Sequence, residues 1–254
     1  MDQRDRNTGF ATKAAAALIA TALVAAVFCF AFSQLRYHWN WEAIYRYRES
    51  LFKGWRVTVL ISLVSLVLST LIGVIFALIR RSPLLPLRYF GQIYVEVIRG
   101  TPLLVQILIF YYVLGSAFQV SDRYVAGALI LSCFSGAYMS EIIRAGIESV
   151  GESQLESARA IGFTRSQTYR YVIFPQALRL TLPSMAGQLV SLIKDSSLLS
   201  IIAVNEFTQS ARDVNSATYS TLESYLPLAF GYLILTLPIS IWTRWLEQRM
   251  RFET

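Results

Sequence analysis

The chain has 254 residues, 55% hydrophobic and only 15% charged, with a formal net charge of +7. Soluble domains carry about 25% charge, so the composition argues against a soluble enzyme, and the chain is too apolar for disorder. All but three of the 23 basic residues are arginines, and these stand at the ends of apolar runs; that placement belongs to membrane topology, not to a nucleic-acid-binding face.

Six transmembrane helices are predicted from the uncharged windows, because a helix needs about 20 apolar residues to cross a bilayer core. The first window is 14–35, preceded by Arg4, Arg6 and Lys13. Its basic start and Ala31-Phe32-Ser33 end resemble a secretory signal, but the apolar run exceeds a typical signal core. A retained helix is expected. Segment 36–56 follows, rich in Arg, Trp and Tyr, and its aromatic company suits the headgroup region.

The second span is 57–79, closed by Arg80-Arg81-Ser82-Pro83. The third covers 100–121 and starts near Tyr89, crossing Glu96 and Arg99, with Arg99-Gly100-Thr101-Pro102 as an interruption. The fourth covers 124–140 and extends toward Ile147. The fifth, 180–204, is broken only by Lys194-Asp195, and the sixth is 224–243. Arginines then concentrate in 1–13, 80–88, 148–179 and 244–254, which places those segments and both termini in the cytoplasm. Segment 36–56, with Arg36, Arg46, Arg48, Lys53 and Arg56, is the exception on the outer side.

Cys29 and Cys133 lie inside apolar runs and read as small hydrophobes. His38 stands alone, so no metal site is expected. No G-x-x-x-x-G-K-[ST], G-x-S-x-G, H-E-x-x-H or C-x-x-C pattern occurs. Nucleotide hydrolysis and nucleophilic catalysis by this chain have no support in the sequence.

The most informative segment is 148–175. A short helix is predicted over 155–161, with Gly162 as its left-handed stop. Thr164 and Gln167 then form a capping-box pair, and a second helix runs to Ile173, stopped by Pro175. The pattern Glu156-x-Ala158-x-Ala160-x-Gly162, followed by Ile173-x-Pro175, resembles the "EAA" loop of binding-protein-dependent ABC importer permeases. So do Leu51-Phe-Lys-Gly54, Arg99-Gly-Thr-Pro-Leu-Leu-Val-Gln106, Ala137-Tyr-x-x-Glu141-x-x-Arg144-x-Gly146 and Lys194-Asp-Ser-Ser-Leu198, which look like the polar amino-acid branch. Ser157 and Ser153 depart from the usual Ala and Gly.

The resemblance spans roughly residues 50–250. It implies an all-α type I importer transmembrane domain over 51–250, with a coupling loop at 148–175 and an added helix and interfacial segment in 1–50. It further implies a second permease subunit (self or paralogue), an ATPase dimer carrying ATP and Mg, and a periplasmic or tethered amino-acid-binding protein. The chain itself would hold no cofactor, metal or nucleic acid, and would sit among lipid in a bacterial cytoplasmic membrane. Glu156, Ala158, Ala160, Ile161, Gly162 and Phe163 would couple it to the ATPase, the small residues letting the loop sink into a groove. The alternative is a secondary amino-acid transporter with no ATPase partner, but the internal repeat such folds carry is not visible.

Ionisable residues inside a membrane are functional candidates because they are costly there. Asp195 falls about 18 Å beyond Pro183, near mid-bilayer, and shares a helical face with Gln188 and Ser191. Ser135 and Tyr138 lie in the middle of the fourth span. Arg99 and Thr101 flank the interruption of the third, where freed backbone groups can meet a charged substrate. Glu96 with Arg99 reads as an i,i+3 ion pair, and Glu141 with Arg144 as a second, nearer the cytoplasm and assigned to structure or gating.

Overall fold

The computed structural model describes residues 10–34 and 37–250. Arg4, Arg6, Arg36 and Arg251 lie outside the described residues, as does the side chain of Lys13. Among the described residues every regular element is helical. Five helices are long and apolar enough to cross a membrane, or six if one sharply bent pair counts as a span.

Helix α1, Phe10–Ser33, forms a unit of its own with Met1–Asn40, and its described side chains between Ala14 and Phe30 are exposed. The remainder, Trp41–Thr254, is the second unit. It begins with α2, Trp41–Ile79, a single helix of 39 residues. The aromatic and basic stretch from Trp41 is therefore the first part of the second span's own helix. Nothing in 41–56 breaks a helix, and Leu51 and Trp55 pack with Phe207, Ala211 and Val214.

The buried face of α2 is a run of small and hydroxylated residues: Thr58, Ser62, Ser65 and Ser69 are all buried. Small residues let two spans approach closely in a lipid setting, where apolar surface alone drives little association. The partner is α5, Arg123–Glu148, capped by Asp122 accepting from the N–H groups of Tyr124 and Val125. Ser65 Oγ donates to the Ala128 carbonyl at 3.2 Å. At Gly73 a Cβ would collide with Met139 of α5. Any larger residue there would push the two spans apart.

The third span is two helices. α3, Leu85–Gly100, and α4, Leu103–Ile109, continued by a π-helical turn over Phe110–Gly115, meet at an angle of 111°. Pro102 lacks an N–H and disfavours helix at Thr101, which here is extended at φ −118°, ψ 146°. Ile107 of α4 enters the main core with Ile61, Ile130, Leu131, Leu192 and Leu199.

Between α5 and the fifth span lies α6, Glu152–Ala160, with Ile161 as its C-cap and Gly162 at φ +79°. Both bonds of the capping box between Thr164 and Gln167 are present at the start of α7, Arg165–Thr168. The expected stop at Pro175 is absent. A π-helical turn over Tyr169–Ile173 widens the helix, and α8, Phe174–Asp195, continues through the proline. Across the widened turn the Phe174 N–H bonds the Tyr169 carbonyl, so the helix passes Pro175 without the α-type donor that the proline lacks. The second arm of the loop and the fifth span are one continuous run, Arg165–Ile202.

A 3₁₀ turn, Ser196–Ile202, follows, and the expected outer loop holds a further helix, α9, Phe207–Thr218. Its N-cap is Glu206, fully buried, whose carboxylate accepts from the N–H groups of Thr208 and Gln209 and from the Tyr232 hydroxyl at 3.1 Å. Thr58 Oγ1 of α2 lies 3.4 Å from the same carboxylate. Burial pushes the Glu206 carboxyl up, against the pull of those backbone donors. The last helix, α10, Thr221–Met250, packs on α8 and α9 and carries Tyr232.

Candidate substrate path and coupling loop

α5 is the most buried of the spans, and the candidate polar residues gather along it. Ser135, fully buried, accepts from Gln188 Nε2 of α8 at 3.1 Å. One turn further along α5, Tyr138 lies beneath the Arg99 guanidinium, 5.3 Å from its ring centre. The end of α3 and the middle of α8 are thus brought to neighbouring turns of one helix.

Arg99 also stands 3.9 Å from Glu141 Oε2. That carboxylate accepts from Arg80 Nη1 at 2.7 Å and from Arg144 Nε at 3.2 Å, and Arg144 also bonds Glu141 Oε1 and Glu148. Three arginines against two glutamates leave one positive charge in excess. Arg99 is the loosest of the three and the most exposed, at 41% against 15% for Arg80 and 29% for Arg144.

The expected Glu141–Arg144 pair is present, but as part of a joint between α2, α3 and α5. The expected Glu96–Arg99 pair is absent. Glu96 is exposed with no ion pair among the described residues, because Arg99 faces α5.

Thr101 is occupied within the break: its hydroxyl donates to the Val97 carbonyl and accepts from Gln106 Nε2, both near 2.7–2.8 Å. Gln106 closes the Arg99–Gln106 string, and nothing in its spacing assigns it a role. It is buried, and its amide also donates to the carbonyls of Ile98 and Thr101, so it ties off the open end of α3.

Ser191 and Asp195 lie on the Gln188 face of α8, which is unbroken between them. Asp195 is half-buried at the end of that helix, with no hydrogen bond or ion pair among the described residues. Its neighbour Lys194 is exposed.

In the loop, Ala158 is buried while Glu156, Ala160 and Ile161 are exposed, Ile161 at 69%. Phe163 is half-buried and lies against Tyr171, with ring centres 6.1 Å apart. An exposed isoleucine at the tip of a capped helical turn is a ready apolar anchor. Among the described residues no group of three or more His, Cys, Asp or Glu is placed to hold a metal.

A helical bundle with a broken third span, a polar seam along its central helix and a capped loop defines a membrane transport subunit. The chain belongs to the family of binding-protein-dependent transport system inner membrane components, whose family model matches residues 69–252. It is 38% identical over 197 residues to a probable glutamine ABC transporter permease of Bacillus subtilis, covering 78% of this chain and 91% of that one. It is 35% identical over 214 residues to the glutamine transport system permease of Escherichia coli K12, covering 84% and 98%. A solved amino acid ABC transporter, crystallised with histidines, superposes with a TM-score of 0.78 at 33% identity, over 84% of this chain and all of that one.

Proposed function

We propose that the chain is the permease subunit of an ATP-driven importer, moving a polar or basic amino acid by alternating access. The observation that carries the reading is the polar seam along α5, where Ser135 meets Gln188 of α8 and, one turn on, Tyr138 meets Arg99 of α3; Asp195 lies two turns beyond Gln188 on the same face of α8. A free amino acid presents a carboxylate and an ammonium. Arg99 supplies a positive charge for the carboxylate, Asp195 a negative one for a cationic side chain, and Ser135, Gln188 and Ser191 neutral donors and acceptors between them. The Gln188-to-Asp195 separation along the helix is about 10 Å, the scale of an amino acid with an extended side chain. The similarity to glutamine permeases supports this substrate class.

ATP and Mg belong to a pair of partner ATPase subunits, which bind the loop through Ile161, Phe163 and the surface around Ala158, Ala160 and Gly162, with Glu156 at its start. A second permease subunit and an amino-acid-binding protein complete the assembly, and both termini face the cytoplasm. The test is uptake of glutamine, arginine, histidine and glutamate by the reconstituted complex. Asp195→Asn is expected to weaken transport of the basic substrates most, and Gly162→Trp to abolish coupling while the protein still inserts. Strong glutamate preference with an unaffected Asp195→Asn variant would remove Asp195 from the site. Uptake that persists without any ATPase subunit would replace the reading with secondary transport.

A further inference from the structure

Four basic residues of α2 precede its apolar run, in the segment that breaks the charge asymmetry of the other loops, and they fall into two groups. Arg46 pairs with Glu42 at 3.9 Å, and Arg48 bonds the Tyr45 carbonyl and lies 4.2 Å over the Tyr45 ring. Lys53 and Arg56, by contrast, have no ion pair, hydrogen bond or ring contact among the described residues. Both line the rim of a cleft of about 640 Å³, together with Tyr124 at the start of α5 and Asn205. The cleft's wall descends along α2 through Leu60 and Leu63, which are 62% and 48% exposed. No carboxylate lines it among the described residues.

Lys53, Arg56, Leu60 and Leu63 follow a helical spacing of three, four and three, so they share one face of α2. Arg56 is the last charge before 23 uncharged residues. The two cations therefore stand at headgroup level, and Leu63 lies about 10 Å beyond Arg56 and about 15 Å beyond Lys53 along the helix, at hydrocarbon depth. Tyr124 at the rim suits the same interface.

We propose that this cleft is a binding site for one anionic phospholipid, its phosphate held by Lys53 and Arg56 and an acyl chain laid along Leu60 and Leu63. A soluble protein can meet the rim but not a wall sunk in hydrocarbon. A two-fold contact centred on this cleft would set the patch against itself, and its lining offers these cations no carboxylate. An amphiphile with a negative head satisfies both ends of the cleft.

The experiment is native mass spectrometry of the purified full-length chain, titrated with phosphatidylglycerol and with phosphatidylcholine. Wild type is expected to retain one phosphatidylglycerol in preference to phosphatidylcholine. At about 1 kcal/mol for each cation near an anionic lipid, K53Q/R56Q should bind it about 25-fold more weakly. R46Q/R48Q, whose cations are engaged locally, should bind it as wild type does. Leu60→Trp keeps both charges, fills the wall and should also lose the lipid. The proposal is overturned if K53Q/R56Q retains phosphatidylglycerol undiminished, or if glycerol phosphate alone displaces it. It is equally overturned if the double variant loses self-association or binding-protein contact while its lipid occupancy is unchanged.

Discussion

Replacing Glu141 with Gln removes the acceptor on which three arginines converge. Losing one partner of a fully buried ion pair costs about 3–5 kcal/mol, whereas exposed pairs are worth about 1 kcal/mol or less. Glu141 is 26% exposed and Arg80 15%, which places this pair between the limits and nearer the buried one. Arg144 keeps Glu148, while Arg80 has no other carboxylate within 4.0 Å among the described residues. The expected loss is about 2–3 kcal/mol, equivalent to a fall of about 5–10 °C in the apparent Tm for a domain of this size. The assay is thermal unfolding of the detergent-solubilised chain, run as a cycle with Arg80→Gln. Contacting residues couple by about 0.5–3 kcal/mol, so the double variant should melt well above the sum of the two losses. A Glu141→Gln variant melting within a degree of wild type, or a strictly additive cycle, would refute the idea that this carboxylate joins α2, α3 and α5.

Glu206→Ala strands two backbone donors and the Tyr232 hydroxyl in a buried joint; the loss should be about 2–3 kcal/mol, read as a lower apparent Tm. Thr164→Ala removes one half of the capping box at the start of α7 and should cost about 1 kcal/mol locally. Its signature would be faster hydrogen exchange confined to 164–168, with exchange in α8 unchanged.

The legible parts of this fold were those written in local chemistry. The capping box between Thr164 and Gln167 and the left-handed Gly162 both rest on residues adjacent in the chain, and both are present. The interruption at Gly100-Thr101-Pro102 was readable for the same reason. What was not readable depends on which spans touch. Arg80 meets Glu141 from 61 residues away and Gln188 meets Ser135 from 53, and no spacing rule connects such positions.

Helix α9 is not legible in the sequence because its cap is a buried glutamate, where a short hydroxyl or carboxylate is the usual signal. Pro175 is ambiguous in the sequence because its effect depends on the turn before it. A proline ends a helix whose carbonyls are already placed for its missing donor, but not one that has just widened.

That widened turn over Tyr169–Ile173 has an evolutionary reading. A π turn accommodates one residue more than an α turn without twisting the helix on either side, so it works as a one-residue shim between the capped loop and the span. Loss of a residue within 169–173 can be absorbed by relaxing the shim, and Ile161 and Gln188 keep the directions they have now. Loss of a residue between Gln176 and Leu182 has no such reserve, and swings the loop about 100° around the helix axis relative to Gln188. Length variation among descendants of this chain should therefore be tolerated at 169–173 and purged a turn later.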